Sequence, residues 1–238
     1  VRKKELNETM NIHGLQKLTL LDYPGHTACT VFLAGCILRC PFCHNADLLD
    51  MNAEPVMDDA ELLAFLRKRQ GLLDGVAFTG GEPLMTRELP ELMERIREMG
   101  YRVKLDTNGC HPEALRLVLE KGLVDYVAMD IKNSPERYAQ TCGLEKVNMD
   151  RINESISLLM TRAPDYEFRT TVVAQLHDRD SFLAIGPWLK GAKRFFLQAF
   201  ADRDTVPFAG LTTPAKEDME EYAELLRPFI SEVSIRGI

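Results

Sequence analysis

Three cysteines within eight residues, Cys36, Cys40 and Cys43, are the densest chemistry in the chain. Cys-x3-Cys-x2-Cys puts three soft thiolates on one short loop, and thiolate sulfur is the donor that iron–sulfur clusters and zinc both select. Two readings follow. Three thiolates can hold three irons of a four-iron cluster; such clusters normally take four Cys, so one iron is left open to a substrate. A zinc ion could instead use the same thiolates with His44. The triplet follows an apolar strand-like run rather than joining two hairpins. The chain, at 238 residues, is also large enough to fold without a metal staple. Both points favour iron–sulfur.

The other candidates share one position: each closes or lies inside a short apolar run. Thr79-Gly80-Gly81-Glu82-Pro83 follows 76–78, Asp106-Thr107-Asn108-Gly109 follows 101–105, and Asp130-Ile131-Lys132 follows 124–129. Gln198 follows 194–197, and Arg169 lies inside 166–173. Gly-Gly and Asn-Gly are turn signals in their own right; two glycines also let a backbone carbonyl approach a ligand. A charge such as Arg169 in an apolar run is costly unless paired, so an anion belongs beside it, either a ligand or an acidic strand-end residue.

The runs need elements to position them. The first run is 28–33, and helical patterns separate the rest. Leu62, Leu63, Phe65 and Leu66 give an apolar face to a helix over 58–70, with Asp58 and Glu61 at capping-box spacing. Leu89, Leu92, Met93, Ile96 and Met99 mark a second helix beginning near Thr86 and ending at Gly100. Further helices are expected from Pro112 to about Gly122 and over 135–141, 150–161, 180–190 and 214–229, before a strand-like 233–235. Six runs alternating with helices describe an α/β chain with a parallel sheet. The candidate residues then collect at the C-terminal rim of that sheet, where such folds bind ligands.

Composition narrows the class. Apolar residues make up 45% and the net charge is −7, which suits a globular protein and offers no basic excess for nucleic acid. No apolar run is long enough to span a membrane. The charged start Val1-Arg2-Lys3-Lys4-Glu5 gives no secretory signal, so a cytoplasmic protein with reduced thiols is expected. Cys29, Cys110 and Cys142 lie outside the triplet and are expected to be structural.

The triplet, with an aromatic residue before its last Cys, resembles the radical S-adenosylmethionine (SAM) enzymes. The wider string Gly35-Cys36-Ile37-Leu38-Arg39-Cys40-Pro41-Phe42-Cys43-His44-Asn45 looks like the activases of glycyl radical enzymes within them. Gly14-Leu15-Gln16-Lys17 and Leu21-Asp22-Tyr23-Pro24-Gly25 resemble the N-terminal extension of activating proteins for anaerobic ribonucleoside-triphosphate reductase. The pyruvate formate-lyase activating enzymes are similar by pattern.

The resemblance implies an open parallel (β/α)6 partial TIM barrel over 27–238 with an N-terminal extension over 1–26. It implies a [4Fe–4S] cluster on Cys36, Cys40 and Cys43, and SAM held by Phe42, His44, Asn45, Gly80, Gly81, Glu82, Thr107, Asn108, Asp130, Lys132, Arg169 and Gln198. Asp106 and Asp130 would hold a monovalent cation, an oxygen site suited to a hard ion. The implied activity is reductive cleavage of SAM to generate a glycyl radical on a partner enzyme, with flavodoxin or ferredoxin as reductant. The pyruvate formate-lyase activases carry a His after the sixth strand; here Gln198 is the nearest polar residue, which favours anaerobic ribonucleotide reductase as partner. The alternatives are a radical SAM enzyme acting on a small molecule, like the 7-deazaguanine synthases, and a zinc-stabilised binding module without catalysis. A SAM methyltransferase would need a Gly-rich loop after the first strand, which is absent.

Overall fold

The structure, a computed structural model, describes residues 10–238. The first nine residues of the N-terminal extension, including the charged start, lie outside the described residues. In chain order the elements are β1 (Asn11–Ile12), β2 (Gly14–Thr19), β3 (Ala28–Leu33), β4 (Met57–Asp58), α1 (Asp59–Arg67), β5 (Gly75–Gly80), α2 (Leu89–Glu98), β6 (Arg102–Thr107) and α3 (Pro112–Glu120). They continue with β7 (Tyr126–Asp130), α4 (Tyr138–Thr141), α5 (Met149–Arg162), β8 (Tyr166–Val172), α6 (Arg179–Trp188), β9 (Arg194–Ala199), α7 (Lys216–Leu226) and β10 (Glu232–Arg236).

One eight-stranded sheet runs in the order β10-β9-β8-β7-β6-β5-β3-β2, with β2 and β10 at its two edges. Every neighbouring pair is parallel except β2 with β3. The six expected parallel strands are β3 and β5 to β9, and the fold is the expected open partial (β/α) barrel. Two strands go beyond that expectation. The run at 233–235 is a full seventh parallel strand, β10, in register with β9. Residues 14–19 of the extension form β2 and pair antiparallel with β3, so the sheet crosses the 26/27 boundary.

β3 reads Ala-Cys-Thr-Val-Phe-Leu and is buried along nearly its whole length, as parallel strands covered on both faces are. Helices cover the outer face with the residues their spacing marked, for example Leu89, Leu92, Met93 and Ile96 on α2. Asp58 and Glu61 form the expected reciprocal capping box on α1. α2 begins at Leu89 rather than near Thr86, because Pro83–Met85 first makes a single 3-10 turn capped by the Glu82 side chain. Among the described residues no helix is long and apolar enough to cross a membrane.

Candidate active site

The C-terminal ends of the strands and the cysteine loop enclose a cavity of about 250 Å³. The loop contributes Cys36, Cys40, Phe42, Cys43, His44 and Asn45. β5 contributes Gly80 with Gly81 just beyond, β6 contributes Asp106 and Thr107 with Asn108 just beyond, and β7 contributes Asp130 with Lys132 two residues past its end. Arg169 comes from β8 and Gln198 from β9. Residues far apart in sequence thus share one wall because parallel strands end on the same rim.

The cysteine loop is held by backbone. Gly35 and Cys36 N–H groups donate to the Leu48 and Leu49 carbonyls (2.8 and 3.3 Å), and Arg39 N–H donates to the Cys142 carbonyl (2.9 Å). The Arg39 guanidinium folds back onto the Cys36 and Leu38 carbonyls (2.6 and 2.8 Å). Gly143, at φ +67°, lies so close that a Cβ there would meet the Arg39 carbonyl oxygen at 2.1 Å. Close approach also explains Gly80 and Gly81. A Cβ on either would come within 2.3 Å of the Leu33 or Gly35 carbonyl oxygen. Their glycine character therefore serves the seam between β5 and the cysteine loop, and the Gly80 carbonyl accepts from Asn45 Nδ2 at 2.9 Å.

His44 turns away from the three thiols. Its ring stacks on Phe200 at 5.6 Å, and Nε2 lies 2.7 Å from the Ala201 carbonyl. Among the described residues no three His, Cys, Asp or Glu side chains gather at single-ion spacing. The Cys3His zinc arrangement is not assembled. All six cysteines are free thiols. Burial pushes the Cys36 thiol up to about 11 and raises Cys43 as well. Cys40 moves the other way, its pKa lowered by a hydrogen bond with the buried Cys142 thiol. Cys29 and Cys110 are buried as expected; Cys142 is buried too, yet touches the triplet.

Opposite the loop stands a compensated charge cluster. Arg169 bridges both carboxylates, with Nη2 3.1 Å from Asp106 and Nε 2.5 Å from Asp130. Lys132 pairs with Asp130 at 2.9 Å and Lys104 pairs with Asp106. Burial alone would raise the Asp130 pKa, but Arg169 and Lys132 outweigh it and hold the carboxyl well below the usual range. Burial likewise opposes charge on Lys132, and Asp130 and Cys40 more than restore it. At the expected cation site, two lysines and an arginine answer the Asp106 and Asp130 carboxylates. Lys104 was missed in the sequence, although a lysine inside the apolar run 101–105 poses the same problem as Arg169.

Glu82 is expected among the SAM contacts. It does not line the cavity but lies fully buried behind it. Its carboxylate accepts from Leu84 N (3.1 Å), Thr107 Oγ1 (2.9 Å) and Asn108 N (2.6 Å). Burial pushes its pKa up to about 7 against the pull of those donors. Glu82 fastens β5 to the end of β6 and so fixes Thr107 and Asn108. The cavity wall also includes Leu38 of the cysteine string, and Thr171 and Leu49, which carry no motif that the sequence could flag.

Residues 30–178, well over half of the chain, match the radical SAM superfamily model. A protein of Methanocaldococcus jannaschii, provisionally named a glycyl-radical enzyme activating enzyme, is 28% identical over 238 residues, covering 95% of this chain and 96% of its own. The pyruvate formate-lyase-activating enzyme of Clostridium pasteurianum is 34% identical over 127 residues, about half of each chain (51% and 52%). In structure, Streptococcus suis SuiB bound to its precursor peptide SuiA superposes with a TM-score of 0.68 at 13% identity, over 86% of this chain and 48% of SuiB. This chain thus spans about half the length of that structure, and the likeness is one of fold. The chain belongs to the radical SAM superfamily and is an enzyme of its oxidoreductase class, related to the activases of glycyl radical enzymes.

Proposed function

We propose that this enzyme binds a [4Fe–4S] cluster on Cys36, Cys40 and Cys43, cleaves SAM reductively, and installs a glycyl radical on a partner protein. The observation that carries the reading is the loop of three free thiols opening onto the same cavity as the Asp106–Arg169–Asp130–Lys132 cluster. The residues fit the group. Three soft donors face one space, and among the described residues they do not close on a single ion. The wall opposite offers both signs of charge, which suits the ammonium and carboxylate of a methionyl group.

Cys36, Cys40 and Cys43 would hold the cluster, which would supply the electron for reductive cleavage of bound SAM. The chain's own residues bind, orient and exclude water. Lys132 and Arg169 present positive charge to a carboxylate while staying compensated by Asp106 and Asp130. Phe42, with Lys132 Nζ 6.0 Å over its ring, provides an apolar surface beside the thiols. Gln198 takes the β9 position, and the His44–Phe200 stack closes the rim beside it.

The partner is a glycyl radical enzyme. The full-length likeness to the M. jannaschii protein supports that class, and the absence of a His after β9 favours anaerobic ribonucleotide reductase over pyruvate formate-lyase. Flavodoxin or ferredoxin would supply the electron, in the cytoplasm. A small-molecule substrate is the second reading, supported by 38% identity over 95 residues to the 7-carboxy-7-deazaguanine synthase of Hyperthermus butylicus, 40% of each chain. The test is anaerobic: reduced enzyme, SAM and the candidate reductase, followed by electron paramagnetic resonance. A glycyl doublet that disappears when the partner's glycine is changed to alanine is expected. Rapid SAM turnover on a small molecule, with no protein radical from any candidate partner, moves the assignment to the second reading.

A further inference from the structure

We propose that Asn108 is a positioning residue for the Cys36 thiolate, its side-chain amide fixed with the N–H edge against the sulfur so that it raises the reduction potential of the cluster bound there. The inference rests on the iron–sulfur reading above and departs from the expectation that Asn108 contacts SAM.

Asn108 is buried, 5% exposed. Its Oδ1 accepts from the Cys110 backbone N–H at 2.9 Å. A backbone N–H can only donate, so the oxygen end of the amide must face it. The other end is then NH2, and Nδ2 lies 3.7 Å from Cys36 Sγ. Amide orientation, often ambiguous, is decided here by that single donor. The surroundings hold the arrangement in place. The Asn108 N–H is bound by the buried Glu82 carboxylate at 2.6 Å. The Thr107 hydroxyl donates to that same carboxylate while accepting from Gly109 N (2.9 and 3.1 Å). Ser155 Oγ donates to the Gly109 carbonyl at 2.7 Å. Both ends of the amide are thus engaged within the protein.

An N–H dipole aimed at a ligand sulfur stabilises the more negative state of that sulfur. Reduction adds an electron whose charge is shared with the ligand thiolates, so such a bond favours the reduced cluster and raises the potential. Losing the donor lowers it. Solvent entry acts with the opposite sign: water admitted by a loosened loop also favours the more negative state and raises the potential. The direction of the shift therefore separates a tuning role from a packing role.

The test reconstitutes wild type, Asn108→Asp and Asn108→Ala anaerobically without SAM, measures iron and sulfide, and titrates the cluster by electron paramagnetic resonance at pH 8. Asn108→Asp keeps the acceptor for Cys110 N–H and removes the donor; Asn108→Ala removes both without adding charge. Both variants are expected to load iron as wild type does and to titrate at more negative potential, Asn108→Asp further. At a fixed poise its reduced-to-oxidised ratio should fall about tenfold, about 59 mV for one electron. An unchanged or more positive potential in both variants overturns the proposal. So does a pair of folded variants that load no iron, since Asn108 would then serve assembly. Wild type that takes up zinc and no iron–sulfur cluster would instead sink the functional reading itself, a different outcome from equal potentials in loaded proteins.

Discussion

At the scale of single residues, the site is built by compensating charge rather than by avoiding it. Arg169 is the hinge of that arrangement, because among the described residues it alone touches both carboxylates. Removing one partner of a buried ion pair leaves the other charge uncompensated, which costs about 3–5 kcal/mol. Arg169→Ala in the metal-free protein should lose stability on that scale, read as a lower denaturation midpoint in urea. Arg169→Lys, which keeps the charge but cannot fork between two acids, should lose less. A loss below about 1 kcal/mol for the alanine variant would show the cluster to be solvated rather than buried. Sequence reading reached Arg169 as a charge in need of a partner and named both possible answers. It missed that Asp106 and Asp130 would themselves be claimed, because Lys104 lies only two residues before Asp106 on the same face of β6, where a side chain is readily taken for strand polarity.

At the scale of elements, what was legible followed from local periodicity and what was not followed from contacts between distant segments. β3, the capping box on α1 and the order of βα units are written in spacing alone. β2 was not recognised because Gly-Leu-Gln-Lys-Leu-Thr pairs polar and apolar residues without strict alternation, and its pairing with β3 supplies the strand. Nor could Gly143 be read as a site residue: its role is to let Arg39 of the cysteine loop pass within van der Waals range. Gly143→Ala adds a Cβ that meets the Arg39 carbonyl and strains a left-handed backbone, a cost of about 1–3 kcal/mol. It should reduce both thermal stability and reconstituted iron content; normal iron with normal stability would mean that the loop relaxes freely. His177 joins the other side of the rim, with Nδ1 accepting from Val173 N (3.1 Å) and Nε2 donating to the Lys132 carbonyl (2.8 Å). Burial holds its pKa below the ordinary 6.5, so the folded protein keeps it neutral. The unfolded chain takes up its proton near 6.5, and stability should therefore fall as pH drops below that point, levelling once the lowered folded pKa is passed. His177→Gln can make both bonds and cannot titrate. The stability difference between wild type and this variant should narrow or reverse as pH falls through that window; a constant difference would place His177 outside the linkage.

At the scale of the whole molecule, an open barrel has an inner face that is neither closed by further strands nor free of charge. The strand ends at the rim hold the site, while lower in the barrel Glu167 of β8 is 1% exposed and needs its own answer. Arg236 of the edge strand β10 supplies it with two bonds, at 3.0 and 3.1 Å, and Tyr126 of β7 adds its hydroxyl at 2.7 Å. β10 is thus fastened by more than its ladder with β9: one side chain reaches across to β8. Because Arg236 sits over the Phe196 ring, part of its contribution is also packing. Arg236→Ala should cost about 3 kcal/mol, the lower end for breaking a buried pair, since the arginine is itself 36% exposed. Glu167→Gln removes the charge that needs answering while keeping most of the volume. The double variant should therefore recover much of the loss, a coupling of more than about 1 kcal/mol in a double-mutant cycle read by urea denaturation. Additive losses would mean that β10 is held by its backbone and ring contacts alone, and that Glu167 is compensated through Tyr126 without it.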